Sequence, residues 1–498
     1  MLRKIRIVLA AVVFVCISLL FLDFTGAWSP KLSFLASIQA LEAVLALNLL
    51  VIIALVLVTL LFGRVYCSVI CPLGILQDII SAPGSRKHRN RFSYKKELPI
   101  VRYGILGVFI LLIILGFTSI AALIAPYGTF GRIMSELFAP LYGWCNNLLA
   151  AISEHSGSVT FYPVQVAVRS LPTLIVAAVS FVVIFAFARI GGRLWCNTVC
   201  PVGTVLGLLS RFAIFKPVIN ESKCISCGIC ARGCKSSCIN PKEHSIDYSR
   251  CVMCMDCIDN CTHGAISIAA APCKICKTRR EPAANDEAGE SSADGGRRAF
   301  ITGALLAAGA VTLKAQKKDA DGGLAALQDK KKPRREVPLK PAGAQSLRHF
   351  SSSCVACQLC VTECPFGVLS PSTSLDTLMQ PEMNFEKGFC RTSCNRCSQV
   401  CPAGAIKPVT VEEKTSIRIG HAVVIPDNCL PASQGQSCGN CSRHCPTGAI
   451  TMVDGPMDKK IPAVNTELCI GCGSCEYHCP ARPYPAIYVE GHLIHNQI

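Results

Sequence analysis

The chain has 498 residues, of which 51% are apolar and 16% charged, and 49 Lys and Arg outnumber 32 Asp and Glu for a net charge of +17. The apolar residues form long runs within the first 215 positions, which excludes a wholly soluble chain. The positive charge flanks those runs, so it reads as membrane topology, and no nucleic-acid partner is expected.

Four apolar stretches, at roughly 5–24, 43–62, 100–125 and 171–190, approach the ~20 residues a helix needs to cross a hydrocarbon core. The start M-L-R-K-I-R and the basic loop 86–96 favour a cytoplasmic N-terminus, with the sparsely charged 126–170 outside. Segment 130–153 has an amphipathic pattern suited to the interface. Acidic groups are rare in this half. Asp23, Glu42 and Glu136 fall near outer helix ends or in the outer loop. They read either as polar helix ends or as acceptors for protons from quinol.

The second and fourth stretches end in an internal repeat. Residues 63–74 read G-R-V-Y-C-S-V-I-C-P-L-G, and residues 192–203 read G-R-L-W-C-N-T-V-C-P-V-G. Cysteines four apart share a helical face. Cys67, Cys71, Cys196 and Cys200 are therefore candidates for one metal or redox centre. The alternative is a motif that only terminates a helix and orients the chain.

The rest of the chain is dominated by cysteine, 33 in all. Most fall in tight C-x2-C-x2-C-x3-C runs, which suit clusters better than disulfides. The first two runs are Cys224, Cys227, Cys230, Cys234 and Cys251, Cys254, Cys257, Cys261. In this spacing the fourth cysteine of each run ligates the other cluster. The expected sets are Cys224, Cys227, Cys230 with Cys261, and Cys251, Cys254, Cys257 with Cys234. Thiolates are soft ligands that suit iron–sulfur clusters. Zinc is the rival, but zinc pairs come as separated dyads. Lys235 and Thr262 stand where the pattern has Pro, and Cys238, Cys273 and Cys276 are left over.

Residues 277–296 have the composition of a flexible linker. Arg297-Arg298, followed by Phe300, Ile301 and a mild apolar stretch, resembles a twin-arginine export signal. The alternative is a weak amphipathic helix with everything after it cytoplasmic. Lys314, Lys317, Lys318 and Lys330 to Lys332 favour that alternative, because they oppose the positive-inside rule.

Four more runs follow. They are Cys354, Cys357, Cys360, Cys364, then Cys390, Cys394, Cys397, Cys401, then Cys429, Cys438, Cys441, Cys445, and last Cys469, Cys472, Cys475, Cys479. Pro follows the last cysteine of each. The second opens C-x3-C and the third C-x8-C, and four sites remain expected. Pairing of one with two and three with four, or a nested order, stays open. No C-x-x-C-H occurs, so covalent haem is not expected. The total is about six [4Fe–4S] clusters.

The fold class is therefore multi-domain: a polytopic α-helical membrane domain with α+β bacterial ferredoxin-like modules. The expected division is 1–215 for four transmembrane helices and 216–276 for a two-cluster module. A linker at 277–296, a fifth apolar segment at 297–315 and a second linker at 316–347 lead to a four-cluster module at 348–498.

On these motifs the first 276 residues resemble the NapH-type and MauN-type membrane ferredoxins. Residues 297–498 resemble the NapG-type and MauM-type ferredoxins, as if the two were fused. The C-x3-C-P repeat is also similar to the membrane part of NosR-type proteins. The resemblance implies a quinol dehydrogenase in the bacterial cytoplasmic membrane. Its substrate would come from the membrane quinone pool, and its partner would be a periplasmic cytochrome or reductase. The two-cluster module would be cytoplasmic and the four-cluster module periplasmic. Two other roles stay open: an electron relay or maturation factor without its own quinol oxidation, and a redox-sensing regulator.

Overall fold

The computed structural model describes residues 2–23, 25–82, 92–155, 161–164, 166, 170–270 and 329–497. The 277–296 linker, the twin-arginine-like segment 297–315, Cys273 and Cys276 lie outside the described residues.

Two helices, Leu2–Leu22 and Leu171–Gly191, have 21 residues each and are long and apolar enough to cross a membrane. The other two expected spans are shorter, Leu49–Phe62 with 14 residues and Pro99–Ile114 with 16. The reasons are local. Asn48 starts the first by accepting from the Val51 N–H at 3.3 Å, so the chain from Ala40 to Leu45 is a separate helix. Pro99–Ile114 stops before Gly116, whose φ of +83° belongs to no right-handed helix.

Segment 130–153, expected at the interface, is divided. Helix Pro126–Ile133 is buried throughout and continues through a π-helical turn, Met134–Phe138, into Ala139–His155. Its rings pack on both long helices. Phe130 lies 5.7 Å from Phe14 and 6.1 Å from Phe21, and Phe138 lies 6.0 Å from Phe181. Only the later part exposes apolar residues, among them Trp144, Leu148 and Ile152. The polar residues of the pattern serve the interior. Arg132 is buried and donates to Ala122 O at 2.9 Å, a carbonyl at the end of the short helix Thr118–Ala121.

Each copy of the repeat folds as a helical hairpin. Val65–Val69 is followed by Pro72–Ser81, and Leu194–Thr198 by Pro201–Ser210. Proline opens the second helix of each, where its missing N–H costs nothing.

The cysteine-rich modules are built around two-stranded antiparallel sheets. In the first module, Phe215–Ile219 pairs with Ile266–Ala270 and closes its two ends together. In the second, Ile417–Val424 pairs with Ile487–Gln497 in the same way around the last two cysteine runs. Residues 329–347, expected as linker, instead run along this module as a strap. Leu339 and Ala344 join its core, and Arg335 forms a buried ion pair with Glu476 at 2.6 Å. Leu339 and the neighbouring Lys340 are both buried, and so polar a stretch carries too weak a signal to separate strap from linker by sequence.

The modules sit at opposite ends of Leu2–Leu22, a helix about 31 Å long at 1.5 Å per residue. Arg3 meets Asp256 of the first module at 2.7 Å. Beyond the other end, Ser29 donates to Glu363 of the second at 3.0 Å.

Candidate functional site

The cysteine loops share one backbone geometry. In the four regular runs, the residue before the second cysteine and the residue after it are both left-handed. These are Ser226 and Gly228, Met253 and Met255, Ala356 and Gln358, and Gly471 and Gly473. Non-glycine residues rarely adopt this conformation, and each costs energy in a free loop. Alternating handedness turns successive N–H groups inward as an anion-binding nest. The sulfurs receive those donors. Cys354 accepts from Ala356, Cys357 from Leu359, Cys469 from Gly471 and Cys472 from Ser474. An anionic cluster held by thiolates fits this donor set.

Ligand sets close between runs. Cys354, Cys357 and Cys360 line one cavity with Cys401. Cys429, Cys438 and Cys441 line another with Cys479. Cys364 lies among Cys390, Cys394 and Cys397, close enough to interact with the first and third. Cys445 does the same for Cys469 and Cys472. The pairing is thus one with two and three with four. Burial pushes the Cys354 thiol up to about 12 and Cys441 up to about 11, so thiols here lose a proton on binding metal.

In the first module Cys251, Cys254 and Cys257 line a cavity with Cys234, as the spacing implies. Cys230 lies near Cys224 and Cys227. The Cys261 sulfur accepts from the Ala265 N–H at 3.2 Å. Cys238 is a finding beyond the ligand sets expected. It lines the Cys251 cavity as a fifth thiol, with its sulfur 3.5 Å from that of Cys234. The signal was its position four residues after Cys234, one helical turn or one tight loop away.

Inside the helix bundle the two repeat hairpins face each other. Cys67, Cys71, Cys196 and Cys200 are all buried, with 4–5% exposure, and lie close enough to interact with one another. Arginines cross between the copies. Arg64 donates to Cys196 O at 3.2 Å, and Arg193 donates to Cys67 O at 2.7 Å. The glycine shared by the two repeats has a steric reason. A Cβ on Gly74 would collide with Cys67 O and Arg193, and one on Gly203 with Cys196 O and Arg64.

Of the three acids, Asp23 is occupied within its turn, accepting from the N–H groups of Thr25, Gly26 and Trp28. Glu136 is buried in the π turn. Glu42 is 1% exposed, and neither oxygen finds a hydrogen-bond partner on another residue among those described. It lies between two buried tyrosines: Tyr66, which also faces Cys67 and Cys71, and Tyr127, which also faces Cys357 and Cys401.

Among the described residues, no group of three or more His, Cys, Asp or Glu is spaced to hold a single metal ion.

Comparison with known proteins agrees with this chemistry. A family described as a 4Fe-4S binding domain matches residues 44–91 and 173–219. Two described as 4Fe-4S dicluster domains match 353–406, and 389–449 with 435–482. YccM of Escherichia coli is 26% identical over 225 residues, 44% of this chain and 55% of YccM. The ferredoxin-type protein NapG of Escherichia coli is 32% identical over 139 residues, 27% of this chain and 57% of NapG. The chain thus spans about half the length of these relatives. The pyruvate synthase subunit PorD of Methanothermobacter marburgensis is 43% identical over 68 residues, 14% of this chain and 83% of PorD. No solved structure matches. With NosR and MauM also among its relatives, the chain belongs to the ferredoxin-type iron–sulfur electron-transfer proteins.

Proposed function

We propose that this chain oxidises membrane quinol and passes the electrons, one at a time, through about six [4Fe–4S] clusters to a periplasmic reductase system. Quinol gives up two electrons and two protons and leaves as quinone. The observation that carries the reading is one continuous buried core. It includes Val252 and Cys254 of the first module, Cys67, Cys71 and Cys200 of the bundle, and Val355 and Cys357 of the second module. Bound clusters supply one-electron redox chemistry over a wide range of potentials.

The protein's own residues supply burial, orientation and proton uptake. Glu42 is the acid best placed to take a proton released near Cys357, since it is buried and unengaged beside Tyr127. In this reading the bundle lies in the bacterial cytoplasmic membrane as a multi-pass domain. Its helices expose an apolar belt that includes Val8, Val12, Ile53, Leu57, Leu111, Ile175 and Val179. The basic N-terminus and the first module face the cytoplasm. The second module faces the periplasm, where a cytochrome or reductase docks.

The test is anaerobic purification of the full chain, oxidation, addition of a menaquinol analogue, and electron paramagnetic resonance. Signals that appear at a turnover-competent rate support the reading, and Glu42→Gln slows them while dithionite reduction is unchanged. If dithionite reduces the protein and quinol does not, the chain is an electron relay or a maturation factor for a metalloenzyme instead.

A further inference from the structure

Arg64 is fully buried and has no carboxylate partner among the described residues. Its hydrogen bonds go to Asn197 Oδ1 at 2.8 Å, Ser249 O at 3.1 Å and Cys196 O at 3.2 Å. Its remaining approach is to the Cys67 sulfur, at 3.8 Å. A guanidinium held out of water without an anion is strongly disfavoured. Arg193, its counterpart in the second repeat, is neutralised by Asp78. The second repeat has Gly207 where the first has Asp78, so it offers Arg64 no such acid, and the nearest source of an anion is the thiol group it points to.

The four sulfurs are prepared to be that anion. Cys71 and Cys200 each stand immediately before a ten-residue helix, Pro72–Ser81 and Pro201–Ser210. The Gly203 N–H donates to the Cys200 sulfur at 3.3 Å, and the Gly74 N–H lies near the Cys71 sulfur without a formed hydrogen bond. A helix N-terminus favours thiolate. Gln77 Nε2 donates to the Cys196 sulfur at 3.2 Å, and Arg64 approaches Cys67. Three of the four sulfurs thus accept a hydrogen bond, that of Cys196 from the opposite repeat. Hydrogen bonds to ligand sulfurs are what an iron–sulfur site uses to hold its charge in a dry interior.

One further observation points the same way. The family described as a 4Fe-4S binding domain matches 44–91 and 173–219, and the only cysteines in those segments are these four.

We propose that Cys67, Cys71, Cys196 and Cys200 jointly ligate one iron–sulfur cluster inside the helix bundle, and that it carries electrons between the two ferredoxin modules. The two repeats are two halves of one ligand set, each giving two thiolates. The position answers a physical need. The modules sit at opposite ends of Leu2–Leu22, and a hydrocarbon core of roughly 30 Å between them requires an intermediate stop. The thiols share one buried core with Cys254 on one side and Cys357 on the other. One electron moves per step, reducing one centre as its neighbour is oxidised. No bond to a substrate forms or breaks. The inference does not depend on which donor reduces the protein.

The test counts iron and acid-labile sulfide in the anaerobically purified full chain and in Cys67→Ser/Cys196→Ser, with Mössbauer spectra of both. Six four-iron clusters account for about 24 iron atoms. The expected result is about 28 in the unaltered chain, and loss of one cluster's iron and sulfide, about four of each, in the variant. The ferredoxin-type signals stay intact. A count of about 24 in the unaltered chain overturns the proposal whatever becomes of the variant. A Gln77→Leu chain keeps all four ligands. It is expected to retain its iron and to shift the potential of one component downward, and an unchanged set of potentials counts against the proposal.

Discussion

Arg193 grips Asp78 with two hydrogen bonds, Nε to Oδ1 at 2.7 Å and Nη2 to Oδ2 at 2.8 Å, across the two repeats. Arg6 and Lys235 approach the same carboxylate, at 3.5 and 3.3 Å. One acid thus ties together the first helix, both hairpins and the first ferredoxin module. These cations hold the Asp78 carboxyl well below the usual carboxylate range, despite its burial.

Asp78→Asn leaves Arg193 and Arg6 without an acid, while Lys235 keeps Asp256 at 3.0 Å. Breaking a buried pair costs about 3–5 kcal/mol, so a large drop in thermal stability of the detergent-purified chain is expected. Calorimetry checks this, and a shift of no more than a degree or two contradicts the clamp.

Gly203→Ala and Gly74→Ala place a methyl group against a carbonyl oxygen and an arginine of the hairpin pair. Neither neighbour is free to move, since Arg64 and Arg193 are fully buried and multiply bonded. Either substitution is expected to cost about 1–3 kcal/mol by overpacking. Gly128→Ala serves as a comparison outside the hairpins, and thermal melts rank the three.

Cys238→Ala removes the fifth thiol of the Cys251 cavity. Four ligands remain, so the iron content is expected to stay constant. The thiol sits 3.5 Å from the Cys234 sulfur, and loss of a hydrogen bond to a ligand sulfur lowers the potential of the centre. A redox titration followed by paramagnetic resonance reads the shift. Loss of iron instead would make Cys238 a ligand.

Glu476→Gln tests the strap. Its carboxylate accepts from Arg335 at 2.6 and 2.8 Å and from the Val489 N–H at 2.9 Å, and both charged groups are nearly inaccessible. A loss of about 3–5 kcal/mol is expected, with faster proteolysis within 329–347.

His495 gives the closing sheet a pH dependence. Burial, together with the charge of His492, lowers its pKa to about 4. A histidine held neutral in the fold contributes stability above its unfolded value of ~6.5, and this is lost as pH falls toward 4. Hydrogen exchange of the Ile417–Val424 and Ile487–Gln497 pair is expected to quicken over that window. His495→Asn is expected to flatten the dependence.

The cysteine runs, the C-x3-C-P repeat and the apolar stretches were legible in the sequence because each is local. Three thiols within seven residues reach one cavity through the short loop itself, as Cys354, Cys357 and Cys360 do. Helix ends depended on single residues such as Asn48, whose capping is visible only once the preceding chain is seen to leave the helix. Tertiary structure alone decided which run completes which ligand set, why residues 126–138 are interior, and that 329–347 is packed. It also decided that two hairpins far apart in sequence bring four thiols together. The reason is the same in each case. Short-range proximity is fixed by bond geometry, whereas the meeting of Cys67 with Cys196 depends on Arg64 and Arg193 reaching across to carbonyls of the opposite repeat, and no local pattern encodes that contact.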